Sequence, residues 1–68
     1  MHEMKYHTAE EAFLSRLEEQ QTPVVIYLVN GFQIRGTICQ YDENTLLVQD
    51  DRRRQMVYKH AVSTIAPV

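Results

Sequence analysis

Residues 24–38 of the chain, VVIYLVNGFQIRGTI, decide the fold. The run begins with β-branched and aromatic side chains, which favour extended backbone, and Asn30 and Gly31 then supply a strong signal for a short hairpin turn. From Phe32 onward, apolar and polar side chains alternate with the period of a half-buried strand, and Gly36 inside that alternation indicates a sharp bend. The stretch therefore predicts two antiparallel strands, the second of them bent as in a small barrel.

A single helix is predicted before these strands, at about residues 8–21. Thr8 and Glu11 have the spacing of a capping box, in which side chains bond the free backbone N–H groups that begin a helix. Pro23 marks the end of the helix, because the residue before a proline is disfavoured in helical geometry. The apolar stripe predicted at helical spacing consists of Ala12, Phe13 and Leu17.

Three further short strands are predicted downstream, separated by polar turns. They cover about residues 45–48, 55–59 and 62–66, and the turns fall at residues 42–44 and 50–54. One helix followed by five short, strongly bent strands, at about residues 23–67, is typical of a mainly β protein with a small β-barrel. The predicted organisation is a flexible arm at residues 1–7 and a single domain at residues 8–68.

The small size of the chain predicts that it associates with copies of itself. A chain of 68 residues buries a small core and commonly needs a second source of stability. Cys39 is the one cysteine, which excludes an internal disulfide and predicts a reducing, cytoplasmic setting. The histidines lack a partner at metal-ligand spacing, so neither a metal nor another cofactor is expected. Head-to-tail pairing of the last two strands between identical subunits would close a ring.

Charge and motif content exclude several classes of function. The formal net charge of −2 differs from the basic balance of proteins that hold duplex DNA through many phosphates. Any nucleic acid would therefore be held by base stacking and a few focused cations. No apolar run approaches the roughly 20 residues that cross a bilayer, so no membrane partner is expected. The chain has no catalytic constellation and no glycine-rich phosphate loop, so it is not expected to be an enzyme.

Two segments carry a resemblance to a known family. Residues 25–32, VIYLVNGF, and residues 58–64, YKHAVST, together resemble the bacterial Hfq proteins, which are Sm-like RNA chaperones. The likeness extends over about residues 13–67, and the longer turn at residues 50–54 looks more like the Gram-positive type. It implies a homohexameric ring of Sm-like barrels, in which strand four of one subunit pairs with strand five of the next. It also implies that single-stranded RNA binds both faces, in post-transcriptional and stress-response regulation by small RNAs acting on messenger RNAs.

On the face that carries the helix, called proximal, the resemblance implies a site for uridine-rich RNA around the pore. Lys59 can hold a uracil carbonyl or a phosphate there, and His60 can donate a hydrogen bond to phosphate. Family members usually have an aromatic residue at the position of Asn44, which itself offers no face for stacking. Glu10 replaces a frequent glutamine, and Glu43 adds a second carboxylate that repels phosphate. The sequence therefore predicts a weakened proximal site.

The outer rim of the ring departs from the family as well. Members with strong annealing activity have basic residues where this chain has Glu18, Glu19 and Gln21. An acidic, solvated helix face is the favoured interpretation, and weak annealing is expected. Arg16 remains on this helix as a possible auxiliary basic contact.

The one dense basic run, at the predicted turn between strands three and four, consists of Arg52, Arg53 and Arg54. One interpretation is a solvated loop balanced by Asp50 and Asp51 just before it. The other is a set of auxiliary RNA contacts, in which copies around the ring form a basic fringe that replaces the missing rim.

The opposite face, called distal, keeps more of the pattern with which the family binds adenine-rich RNA. The matching residues are Tyr27, Asn30, Gly31, Phe32, Gln33, Arg35, Gln55 and Thr64. Tyr27 offers a stacking surface, and Gly31 permits close approach of the backbone to RNA. Gln55 can read an adenine edge, and Arg35 can stack or meet phosphate. Tyr27 is favoured as a contact residue, whereas Phe32 stays open between RNA contact and barrel core because it shares the apolar alternation of its strand.

These observations leave two functions of different classes. The leading hypothesis is an Hfq-like RNA-binding chaperone that binds adenine-rich RNA on the distal face and uridine-rich RNA more weakly at the pore. The alternative is a ring that serves mainly as a protein-interaction scaffold with reduced RNA binding. The acidic residues around Glu10 favour the scaffold, and the set around Tyr27 and Arg35 favours RNA.

Overall fold

Residues 8–68 are described in the computed structural model, and the predicted flexible arm at residues 1–7 lies outside them. The elements in chain order are α1 (Ala9–Gln20), β1 (Val24–Leu28), β2 (Gln33–Tyr41), β3 (Thr45–Gln49), β4 (Arg54–Tyr58), a 3₁₀ turn (Lys59–Ala61) and β5 (Val62–Pro67). The strands form one sheet in the order β4-β3-β2-β1-β5, and every neighbouring pair is antiparallel. The prediction of one helix followed by five strands is confirmed.

Both ends of α1 are stabilised by local hydrogen bonds. The Thr8 hydroxyl accepts a bond of 3.0 Å from the backbone N–H of Glu11, as the capping box predicted. At the other end, Gln21 adopts left-handed backbone geometry, with φ of 52°. Its N–H donates to the Glu18 carbonyl while the Thr22 N–H donates to that of Leu17, the paired pattern of a Schellman motif. The helix therefore ends through its own backbone, before Pro23 is reached.

The predicted apolar stripe of the helix is wrong for two of its three members. Leu14 and Leu17 are buried against the sheet, whereas Ala12 is exposed and Phe13 is 41% exposed. Phe13–Leu17 and Leu14–Leu17 both have helical spacing, so the sequence permits two faces. Packing on the sheet selects the face with Leu14, which leaves Phe13 at the surface.

Gly36 marks the point at which β2 passes from one partner strand to the other. The first part of β2 pairs with β1 up to the Val24–Gly36 pair, and the part from Thr37 onward pairs with β3. A Cβ atom at residue 36 would lie 2.5 Å from the carbonyl oxygen of Gln49, so only glycine permits this close approach. The bend predicted from this glycine is present, and its cause is the contact with β3.

The core lies between α1 and the inner face of the sheet. Its buried side chains are Leu14, Leu17, Val24, Ile26, Ile38, Leu46, Val48 and Val57. Burial of each such side chain stabilises the fold by roughly 1.5–3 kcal/mol, and eight such side chains make a small core. Within residues 8–68, β4 and β5 pair on one side only, so both keep an open edge.

Candidate nucleic-acid interface

Three predicted site residues form a straight row across the outer face of the sheet. Tyr27 in β1 lies directly opposite Gln33 in β2 and Thr64 in β5. Residues directly opposite one another in antiparallel strands project from the same face. We call Gln33, Tyr27 and Thr64 the tyrosine row. Tyr27 is 38% exposed, so its ring is accessible to a ligand and does not belong to the buried core.

Arg35 lies next to the tyrosine row on the same face. It is two residues beyond Gln33 in β2, pairs with Val25 and is exposed. It is also the one charged residue within β1, β2 and β5, none of which contains an acidic residue. Within these three strands the charge therefore comes from one guanidinium group, which can pair with a phosphate beside a stacked base.

The hairpin between β1 and β2 presents an exposed aromatic ring next to the row. The Gly31 N–H donates to the Leu28 carbonyl at 2.9 Å and Gly31 has φ of 95°, so the hairpin has a three-residue loop with glycine in the left-handed position. The Phe32 N–H donates to Asn30 Oδ1 at 3.0 Å. This geometry places Phe32 before β2 begins, and its side chain is 69% exposed. Phe32, which the sequence left open between barrel core and RNA contact, therefore lies at the surface.

Gln55 is not part of the same cluster within one chain. It lies in β4, opposite Val48 of β3, and is partly buried. In the strand order, β3 and β2 separate β4 from β1 and its Tyr27. The structure therefore brings together seven of the eight predicted distal residues around β1, the hairpin and β5, and leaves Gln55 at the far edge.

The predicted proximal residues meet around Lys59, which is already paired with a carboxylate. Its backbone N–H donates to the Asn44 carbonyl at 2.8 Å, which fixes Asn44 beside it. Its Nζ donates to Glu10 Oε2 at 2.7 Å and lies 5.6 Å from the centre of the Tyr41 ring. Neither the ion pair nor Tyr41 was predicted. Residues 10 and 59 are 49 positions apart, and only the packing of α1 on the sheet brings them together.

His60 follows in the 3₁₀ turn and is exposed. Its ring stacks on Tyr58 with centroids 5.9 Å apart and an angle of 28° between the planes. The stack fixes the imidazole beside Lys59 while leaving it open to solvent.

An acidic cleft of about 800 Å³ surrounds Lys59. Its lining consists of Thr8, Glu10, Glu11, Glu18, Tyr41, Asp42, Glu43 and Lys59. The pKa of Asp42 lies below its ordinary value because its carboxylate accepts a hydrogen bond from the Thr45 hydroxyl and two from backbone N–H groups of the same turn. Asp42 therefore stays ionised, and Lys59 is the one cation among the lining residues.

The remaining predicted basic residues lie outside both clusters. Arg16 is exposed on α1, and Arg52 to Arg54 occupy the turn before β4 and its first residue. Among residues 8–68, no group of three His, Cys, Asp or Glu side chains is placed to hold a metal ion. In the same part of the chain, no helix has the length and apolar character to cross a membrane.

Comparison with known proteins identifies the family. The family model described as Hfq protein matches residues 9–68. The RNA-binding protein Hfq of Syntrophomonas wolfei subsp. wolfei is 44% identical over 59 residues, a match that covers 87% of this chain and 72% of that protein. That of Moorella thermoacetica is 48% identical over 58 residues, covering 85% of this chain and 69% of the relative.

Solved structures agree with the sequence relatives. The crystal structure of Hfq described as a pleiotropic translational regulator superposes with a TM-score of 0.84 at 30% identity, covering 87% of this chain and 98% of that one. An Hfq protein from Anabaena sp. gives a TM-score of 0.78 at 30% identity, covering 84% of this chain and 92% of its own. The predicted likeness, including relatives among Gram-positive Firmicutes such as Anoxybacillus flavithermus, is confirmed. The chain belongs to the Hfq family of RNA-binding proteins, which are not enzymes.

Proposed function

We propose that this protein binds single-stranded, adenine-rich RNA on the outer face of the sheet, through the tyrosine row and its neighbours. The observation that carries the proposal is the register that places Tyr27 between Gln33 and Thr64, with Arg35 beside them and no acidic residue in these strands. In this role it acts in the cytoplasm, in post-transcriptional regulation by small RNAs.

Each member of this face has a chemical task. The Tyr27 ring and the exposed Phe32 ring stack on bases, each stacked base contributing roughly 1–3 kcal/mol. The amide of Gln33 and the hydroxyl of Thr64 form hydrogen bonds to base edges. Gly31 carries no side chain and has open space around its Cα, so RNA can approach the backbone there. Arg35 pairs with a phosphate.

The protein acts as a homohexameric ring in which β4 of one subunit pairs with β5 of the next. Both strands have an open edge, and an unpaired edge with exposed apolar residues such as Met56 favours pairing with another chain. A groove of about 580 Å³ between α1 and β5, which Phe13 and Ile65 help to line, lies beside the β5 edge and would receive the neighbouring subunit. The same pairing would bring Gln55 of one subunit next to the strand that carries Thr64 of the other.

The pore side binds uridine-rich RNA more weakly. An RNA oxygen that approaches Lys59 meets the Glu10 carboxylate already bound at 2.7 Å. Asn44 lies beside Lys59 and would supply hydrogen bonds, but it adds no stacking surface. His60 is exposed and remains available to phosphate.

The acidic cleft supports a second function, a scaffold for protein partners. Five carboxylates and one lysine line it, a charge pattern that repels RNA and suits a basic segment of another protein. This function predicts that neither adenine-rich nor uridine-rich RNA binds tightly.

Fluorescence anisotropy with short oligo-A and oligo-U RNAs, at about 0.15 M salt, tests the proposal. Tyr27→Ala is expected to lower oligo-A affinity roughly 5- to 150-fold through the loss of one stacked base, while oligo-U affinity stays the same. Tyr27→Phe, which keeps the ring, should retain most of the oligo-A affinity. Unchanged oligo-A binding by Tyr27→Ala would overturn the assignment of this face, and absence of binding to both RNAs would favour the scaffold.

The mass of the assembly provides a separate test. Native mass spectrometry should find six copies of the 8.0 kDa chain. A monomeric mass at the concentrations used for binding would refute the ring without bearing on the tyrosine row.

A further inference from the structure

The turn between β3 and β4 presents arginines beside a carboxylate that accepts hydrogen bonds from the backbone. We call residues 50–54 the basic turn. Asp50 Oδ1 accepts the backbone N–H groups of Arg52 and Arg53 at 2.8 and 3.0 Å, which lowers the pKa of the Asp50 carboxyl. The Asp50 N–H in turn donates to the Arg53 carbonyl at 3.0 Å, closing the turn. Asp50 thus shapes the turn, and within residues 8–68 no ion pair between a carboxylate and the guanidinium of Arg52, Arg53 or Arg54 is present.

The outer face of β2 connects the tyrosine row to the basic turn. Gln33, Arg35 and Thr37 follow at every second position and therefore share one face, with about 7 Å between successive members. Thr37 lies opposite Gln49, and Gln49 lies opposite Arg54. The Gln49 side-chain oxygen accepts a hydrogen bond of 3.3 Å from Arg54 Nε. A second cross-strand row, Thr37–Gln49–Arg54, thus continues the face on which Tyr27 lies.

A concave surface joins Arg35 to the basic turn. Arg35 and Arg52 both line a cavity of about 630 Å³, and Gly36 and Thr37 line it between them in the sequence. Asp50 and Asp51 also line it; the Asp50 carboxylate accepts backbone N–H groups of its own turn and also attracts Arg52 and Arg53. Two guanidinium groups, one from the tyrosine-row face and one from the basic turn, therefore share one concavity. Planar guanidinium groups pair well with phosphate, and this geometry suits a polyanion that crosses from one to the other.

We infer that the basic turn is an additional RNA-phosphate site, which binds the strand after it leaves the tyrosine row along β2. The inference rests on the proposed function, because it extends the path of the same RNA. The ligand is the sugar–phosphate backbone and not a base, since the turn offers arginines and no exposed aromatic ring. RNA longer than the tyrosine row can hold should therefore bind more tightly than a short oligo-A.

Two RNAs that differ only in backbone length provide the test. One is a short oligo-A, and the other is the same oligo-A followed by a tail of abasic nucleotides, which adds phosphates without bases. Each phosphate contact to single-stranded RNA contributes about 0.7 to the slope of log affinity against log salt, or roughly fourfold in affinity at about 0.15 M salt. With two contacts, the tail should raise the affinity of the wild-type protein roughly 15-fold and steepen the salt slope by about 1.4.

Two double variants assign that gain to the basic turn. Arg52→Gln with Arg53→Gln should remove the gain from the tail and leave the affinity for untailed oligo-A unchanged. Arg52→Lys with Arg53→Lys preserves the charge and should keep most of the gain. Thermal unfolding and native mass of both variants should match the wild type, because the Asp50 bonds use backbone N–H groups that every residue here supplies.

The outcomes separate this inference from the proposed function. Equal affinity of the wild type for tailed and untailed RNA, or a gain that survives the glutamine substitutions, would overturn the site at the basic turn. Either result leaves the tyrosine row intact if untailed oligo-A still binds and Tyr27→Ala weakens it. Failure of the wild type to bind either RNA would overturn both proposals.

Discussion

Replacing Glu10 with glutamine is expected to strengthen the binding of uridine-rich RNA. Lys59 Nζ lies 2.7 Å from Glu10 Oε2, so an RNA oxygen that approaches this ammonium group meets a carboxylate that occupies one of its three N–H donors and repels phosphate. Glutamine keeps the size and shape of the side chain and removes its charge. The variant therefore removes the competing charge beside Lys59 without creating a cavity in the acidic cleft.

The magnitude has two parts. Ion pairs at protein surfaces contribute roughly 0.2–1 kcal/mol, and this pair belongs to that class because the Glu10 side chain is 60% exposed, although that of Lys59 is 19% exposed. Removing the repulsion between the Glu10 carboxylate and a phosphate about 4 Å away contributes about 1 kcal/mol in water. Together these give about 1–2 kcal/mol, or roughly a 5- to 30-fold gain in oligo-U affinity.

Anisotropy titrations with oligo-U measure the gain, and Glu19→Gln is the matched control. Glu19 is an exposed residue of the same helix, so the control removes the same charge at a position outside the acidic cleft. It should change oligo-U affinity by about twofold or less, because exposed charges are screened beyond about 8 Å at physiological salt. Oligo-A affinity should be the same in both variants and the wild type.

Three results would refute this reasoning. An unchanged oligo-U affinity in Glu10→Gln would show that the carboxylate does not compete with RNA for Lys59. A lower affinity would show that Glu10 holds Lys59 in its binding position. Equal gains in Glu10→Gln and Glu19→Gln would assign the effect to net charge and not to the ion pair.

Three predictions concern stability, each measured by thermal or urea unfolding of the variant against the wild type. Thr8→Ala removes the acceptor of the Glu11 N–H and should cost about 1 kcal/mol; an unchanged stability would show that solvent replaces the cap. Gly36→Ala places a Cβ 2.5 Å from the Gln49 carbonyl oxygen and should cost roughly 1–3 kcal/mol, lowering the melting temperature by about 4–8 °C for each kcal/mol; a wild-type melting curve would contradict the close approach. Asp42→Asn should destabilise the protein at neutral pH, because the folded-state pKa of Asp42 is lowered and its ionised form stabilises the fold. That contribution is present above the ordinary value of 3.8 and is lost as the pH falls through the lowered folded value, so the difference between the two proteins should shrink below about pH 3.8. A difference that is constant with pH would refute this assignment.

The parts of the fold that depend on neighbouring residues could be predicted from the sequence. The helix start at Thr8 and the hairpin at Gly31 each rest on a signal within a few positions, and both are present. The buried face of α1 could not be predicted, since Phe13 and Leu14 are equally good partners for Leu17 by spacing alone. Only the shape of the sheet decides between them, and that shape depends on pairings between distant strands.

The candidate site likewise has residues that could be predicted from the sequence and contacts that only the folded chain shows. Residues of the tyrosine row were predicted individually through the family resemblance, while their alignment follows from the register of β1 with β2 and β5. Glu10 was predicted to disturb the pore through repulsion of phosphate. Its direct bond to Lys59 depends on the position of α1 over the sheet, which no local pattern contains. Long-range ion pairs of this kind are visible only in the folded chain.

In the proposed function, the distribution of charge matters more than the net charge of −2 for which RNA would bind. Gln33 of the tyrosine row and Tyr41 of the acidic cleft lie at opposite ends of β2. The strands of the row contain one charged residue, Arg35. Because salt screens exposed charges beyond about 8 Å, the carboxylates of the cleft oppose RNA locally and leave the row largely unaffected. Binding at the row would then depend on stacking and on the one phosphate contact of Arg35, so its salt dependence should be shallow. A steep dependence should appear only when the RNA is long enough to reach the arginines of the basic turn.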